Sequence, residues 1–189
     1  MRLRSFFYPA TAIFLGLIFF SSGMGKLFAG HRFPGLIGPV WLAERLAEHG
    51  LAFFGQFIAV SQVVLGLALL TPRFRTLGAV MLVPMLVNIL MVTISLQWRG
   101  TPYVVAFLLL LNAGLLWHDR QWLLPLLSGR APDKPPVLPV RSWQGHLVWL
   151  AGLSLTLGGV ALSYALPGLA YALVLAGVLL AWLSGRWDS

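Results

Sequence analysis

The chain has 189 residues, of which 59% are apolar and only 10% charged, and its mean hydropathy is +0.86. A soluble domain is about half apolar and about a quarter charged, so this chain lacks the polar surface that a water-exposed globule needs. A soluble enzyme is excluded on that ground. Nucleic acid is excluded as a partner despite the net charge of +8, because the cations stand singly between apolar stretches instead of forming a stripe along which a phosphate backbone could run.

Six apolar stretches approach the roughly 20 residues that a helix needs to cross about 30 Å of hydrocarbon. They run over 6–28, 51–70, 76–96, 101–117, 146–162 and 169–183. Continuous apolarity over such lengths excludes the alternating strands of a membrane barrel. Backbone groups in lipid must bond within the segment, so the stretches are expected to be helices. The fold class read from the chain is therefore all-α: a polytopic membrane protein with a four-helix transmembrane bundle and a C-terminal transmembrane hairpin. The first stretch follows Arg2 and Arg4 but ends in Lys26 without an A-x-A cleavage pattern, so it reads as a retained span and not as a signal peptide.

Between spans one and two, 39–49 alternates apolar and charged residues at helical spacing. It reads as an external amphipathic helix, stopped by Gly50 and turning its Trp and Leu side toward lipid or the bundle. Residues 128–145 form a Pro-rich linker, since proline fixes φ and donates no backbone hydrogen bond. It separates a four-span unit, 1–127, from the hairpin 146–189. The hairpin carries Gly152, Gly158, Gly159 and Gly177, small residues that let helices approach closely in lipid. Trp98, Trp117, Trp122 and Trp149 fall near span ends, where interfacial anchors belong.

Nine of the 13 Lys and Arg residues lie on the side of the two termini and four on the other. The positive-inside rule then places both termini in the cytoplasm.

The polar residues at membrane depth are the candidates for function. Gln62, Asn88 and Asn112 sit near the middle of spans two, three and four. Each amide either fastens helices by an interhelical hydrogen bond or lines one central pocket. Ser22 and Lys26 are i,i+4 neighbours on one face of span one. Lys26 either snorkels to water or turns inward to meet Glu44 or Glu48, the two carboxylates on that side. The pocket candidates are thus Ser22, Lys26, Glu44, Gln62, Asn88 and Asn112. No catalytic residue is assigned and no metal site is expected. The chain has no cysteine for disulfides or thiol redox chemistry, its four histidines lack metal spacing, and the hydrolase, metalloprotease and nucleotide motifs are absent.

Residues 6–127 resemble the DoxX-like family of small four-span bacterial membrane proteins. The resemblance rests on Phe19-Phe20-Ser21-Ser22-Gly23-Met24-Gly25-Lys26-Leu27-Phe28, on Gln62-Val63-Val64-Leu65-Gly66-Leu67-Ala68-Leu69-Leu70-Thr71-Pro72-Arg73, and on Trp117-His118-Asp119-Arg120. At Gln62 the family usually has glutamate, so this chain lacks the acid to which proton chemistry would be attributed. The resemblance implies a four-helix bundle in the bacterial inner membrane. It further implies a membrane subunit of a quinone-linked redox complex, holding quinone or lipid, with no cofactor within the chain. The partner classes it leaves open are the lipid bilayer, a redox protein and a second copy of the chain. The alternative is a non-enzymatic scaffold or a small-solute carrier.

Overall fold

A computed structural model describes residues 2–38, 40–128 and 140–188. Helix α1 spans Arg2–Leu27, α2 Trp41–Glu48, α3 Ala52–Leu70, α4 Arg75–Ser95, α5 Thr101–His118, α6 Arg120–Ser128, α7 Trp143–Leu162 and α8 Pro167–Leu183. Among the described residues there is no strand, and six helices are long and apolar enough to cross a membrane. The protein is a multi-pass helical membrane protein.

Helices α1, α3, α4 and α5 close a ring in which α1 packs on α3 and α5, and α4 on α3 and α5. Its interior is filled by Leu15, Phe19, Leu69, Leu82, Leu86 and Leu115, all almost fully buried. Helices α1 and α3 approach closely because glycines face backbone at the crossing. A Cβ on Gly23 would lie 2.6 Å from the carbonyl oxygen of Ala59 and 2.8 Å from the amide of Val63. Such close approach is what small residues permit between helices in lipid, where apolar burial alone does not hold helices together.

The hairpin α7–α8 lies against the outside of this ring. A second core, built from Phe20, Met24, Phe28, Val63, Leu67, Trp149 and Val174, joins it to α1 and α3. Within the hairpin the glycine expectation divides. Gly152 and Gly177 face the opposite helix so closely that a Cβ on Gly152 would stand 2.6 Å from the Gly177 carbonyl oxygen, whereas Gly158 faces open space.

Both ends of the hairpin are tied to the ring. At one end Asp188 accepts from Arg73 and, at 3.0 Å, from Arg141, while Arg73 also donates to the Ser142 carbonyl. At the other, Ser163 Oγ accepts from the Ala29 amide at 3.0 Å, and Tyr171 Oη donates to the Arg32 carbonyl at 2.9 Å.

Several expectations are corrected. Trp149 is not an interfacial anchor: it is 5% exposed and its indole N–H donates to Thr71 Oγ1 at 3.0 Å. Helix α7 begins at Trp143, ahead of the expected 146, because Ser142 caps it by accepting from the Gly145 amide. The stretch after span four forms the further short helix α6. Most of the Pro-rich linker, 129–139, lies outside the described residues. Helix α2 does form within the amphipathic segment. Leu42 and Leu46 are buried on its bundle side, where α2 meets α3, and the positive φ of Gly50 (74°) follows its end.

Candidate ligand-binding site

One end of the ring, on the α2 side, holds a cavity of about 240 Å³. Its walls come from α1 (Ile18, Phe19), α4 (Leu86, Ile89) and α5 (Val105, Leu108), so most of its surface is apolar. Its polar end is formed by Ser22, Lys26 and Gln62, and its rim by the α4–α5 connection, where Arg99 sits exposed.

The polar end is built from two helices in register. Ser22 and Lys26 are one turn apart on α1, and Gln62 projects from α3 where Gly23 has let the helices close. The Lys26 ammonium donates to Ser22 Oγ at 2.6 Å, to the Ser22 carbonyl at 3.1 Å and to Gln62 Oε1 at 3.1 Å. Ser22 Oγ lies 3.4 Å from the same Oε1. Ser22 and Gln62 are buried and Lys26 is half-buried. Gly38 crosses above them with φ of 107°, and a Cβ there would collide with Ser22 Oγ and reach the Lys26 ammonium at 3.5 Å. Glycine therefore serves here both for its left-handed backbone and for its missing side chain. The Leu36 amide donates to Ser21 Oγ at 3.1 Å and pins this loop to α1.

The structure brings together Ser22, Lys26 and Gln62 and separates the other three candidates from them. Glu44 is exposed on α2 and makes no ion pair with Lys26 among the described residues, because that face of α2 points away from the bundle; Glu48 instead pairs with Arg45 at 2.7 Å. Asn88 is exposed on the opposite face of α4, beside an apolar groove shared with α3. Asn112 is fully buried, and its Nδ2 donates to the Ala79 carbonyl at 2.9 Å, which fastens α5 to α4 away from the cavity, while its Oδ1 is buried without a hydrogen bond. The three mid-span amides therefore do not converge, and the expectation of one pocket lined by all of them is corrected.

Sequence reasoning missed the contribution of the α4–α5 connection, where Trp98, Arg99 and Gly100, followed by Thr101 at the start of α5, line the cavity. Gly100, with φ of 94° immediately before α5 and two residues before Pro102, marks the turn that carries these residues over the opening. Also unforeseen is a polar cluster at the other end of the ring. Asp119 is 6% exposed and accepts from Tyr8 Oη at 2.8 Å and Thr76 Oγ1 at 2.6 Å, tying α1, α4 and the end of α5 together. Both hydroxyls donate to its Oδ2, and these bonds offset part of the cost of burying the carboxylate. Among the described residues no group of His, Asp and Glu is arranged to hold a metal ion.

No family model matches the chain. It is similar to the uncharacterized protein YwoB of Bacillus subtilis (strain 168), 29% identical over 141 residues, which cover 69% of this chain and 88% of that protein. No solved structure matches.

Proposed function

We propose that this protein is an inner-membrane subunit of a bacterial quinone-linked redox complex that holds a quinone or a lipid in the cavity between α1, α4 and α5. The observation that carries this reading is the Lys26 ammonium, with Ser22 and Gln62, set at the end of an otherwise apolar cavity. Apolar walls with a few convergent polar groups are the usual make-up of a small-molecule site. The volume of about 240 Å³ is below the roughly 300 Å³ at which pockets for drug-sized ligands begin. It suits a head group, with the tail leaving between helices into lipid. The Gln62 Nε2 amide donates to an acceptor oxygen on that head, such as a quinone carbonyl, and Lys26 does so by exchanging its bond to the Ser22 carbonyl for the ligand. The chain supplies no electron carrier, so redox chemistry belongs to a partner protein, and the excess of cations on the side of the two termini supports a topology with both of them in the cytoplasm.

The second reading is a scaffold or small-solute carrier in which amides only fasten helices. Asn112, bonded to Ala79, favours it at that one position.

A photoreactive quinone analogue distinguishes the two. Under the first reading it labels peptides from α1, α4 and α5 that line the cavity, and unmodified quinone competes the label away. Labelling spread over all lipid-facing helices, without competition, contradicts it.

A further inference from the structure

We propose that the ligand's head group is anionic: an amphiphile presenting a negatively charged oxygen to Lys26 and Arg99. This rests on the reading of the cavity as a ligand site and specifies the chemistry that the site selects.

Two cations face this cavity, and among the described residues no Asp or Glu lines it. Lys26 has three donors, and all three go to neutral oxygens: a hydroxyl, a backbone carbonyl and a carboxamide. Arg99, exposed at the rim, has no hydrogen bond or ion pair among the described residues. The carboxylates on this side are accounted for elsewhere, since Glu44 is exposed on α2 and Glu48 is held by Arg45. Ionised side chains at membrane depth pair with an opposite charge or line a wet cavity, because an unpaired charge there is costly. The missing countercharge at this site is therefore assigned to the ligand. The remaining surface is suited to an amphiphile and not to a free inorganic ion. Beyond Lys26 the walls are Ile18, Phe19, Leu86, Ile89, Val105 and Leu108, which offer an anion nothing and an alkyl or ring system a dry contact.

The same head chemistry has two sources: the carboxylate of a single acyl chain, or the ionised ring oxygen of a hydroxyquinone, whose hydroxyl is acidic because its charge is shared with the ring carbonyl. A hydrogen bond to a charged acceptor is worth about twice one to a neutral acceptor, which corresponds to about ten-fold in affinity.

The test is a binding titration of the purified full chain in mild detergent. The probes are palmitate against its methyl ester, and a short-tailed hydroxyquinone against its methoxy analogue, at a pH where the carboxylic acid and the hydroxyquinone are both ionised. The expected result is preference of about ten-fold for the charged member in at least one pair. That preference should be lost in Lys26→Met, kept in Lys26→Arg, and reduced in Arg99→Gln. Arg99 is exposed in a connection, so its replacement leaves the fold intact. A preference for palmitate identifies the carboxylate source and a preference for the hydroxyquinone the ring source. Equal binding within both pairs overturns this proposal while leaving the cavity a ligand site. Preference surviving both Lys26→Met and Arg99→Gln overturns it as well. Binding of none of the four probes contradicts the ligand-site reading itself.

Discussion

Replacing Gly23 with alanine adds one methyl group at the point where α1 and α3 are closest. The new Cβ would lie 2.6 Å from the Ala59 carbonyl oxygen and 2.8 Å from both the Val63 amide and its Cγ2. Two of those neighbours are backbone, so relief requires the helices to separate. Overpacking of this kind costs about 1–3 kcal/mol, and a rigid backbone neighbour puts it near the upper end. Against this, alanine gains about 1 kcal/mol over glycine in helix propensity. The net destabilisation is about 2 kcal/mol, or about 4–8 °C in Tm for a chain of this size. Gly158 is the control: it is helical and a Cβ there meets nothing within 4 Å. Gly158→Ala therefore retains the propensity gain alone and should raise Tm by about 2–4 °C. Thermal unfolding of both variants in one detergent reads the two signs side by side. Shifts of the same sign would refute the claim that glycine contact sets the α1–α3 distance. Since Ser22 precedes Gly23 and Gln62 precedes Val63, the same displacement should also weaken ligand retention in Gly23→Ala.

Two further perturbations probe how the hairpin is held. Trp149→Phe removes the buried donor to Thr71 and leaves space in the second core, so it should cost about 1–3 kcal/mol in thermal or denaturant unfolding, and no loss would refute the bond's role. Asp188→Ala leaves Arg73, whose side chain is 1% exposed, as a buried charge without its carboxylate, and should cost about 3–5 kcal/mol. The double change Arg73→Met with Asp188→Leu should recover most of that loss, and an equal or larger loss would contradict the ion-pair account.

The positions of the spans were legible because lipid demands long apolar runs with internally bonded backbones. Which way each residue faces was not. In a soluble helix the polar stripe reveals the buried face, but α3, α4 and α5 are apolar all round, since lipid and protein interior accept the same side chains. Gln62, Asn88 and Asn112 therefore looked equivalent in the sequence. They turn out to face the cavity, the outside of α4 and the Ala79 carbonyl respectively. Ser22 and Lys26 were legible as a pair because i,i+4 spacing on a helix dictates a shared face. The inward turn of Lys26 was not, since its partners are a backbone carbonyl of its own helix and an amide on another. The rim at Arg99 depends on the turn at Gly100, a tertiary placement that no local pattern encodes. Trp149 was misassigned for a related reason. A tryptophan near a span end fits an interfacial belt, and only the packing of α7 on α3 brings its N–H to Thr71.

The central claim is that Ser22, Lys26 and Gln62 form the polar end of a ligand site. Native mass spectrometry of the protein released from mild detergent, with organic extraction of whatever it retains, tests this most directly. The account predicts one amphiphile per chain in the wild type, lost in both Lys26→Met and Gln62→Leu while the variants remain folded. Retention of the same molecules by wild type and both variants would contradict it and leave these side chains as fasteners between α1 and α3.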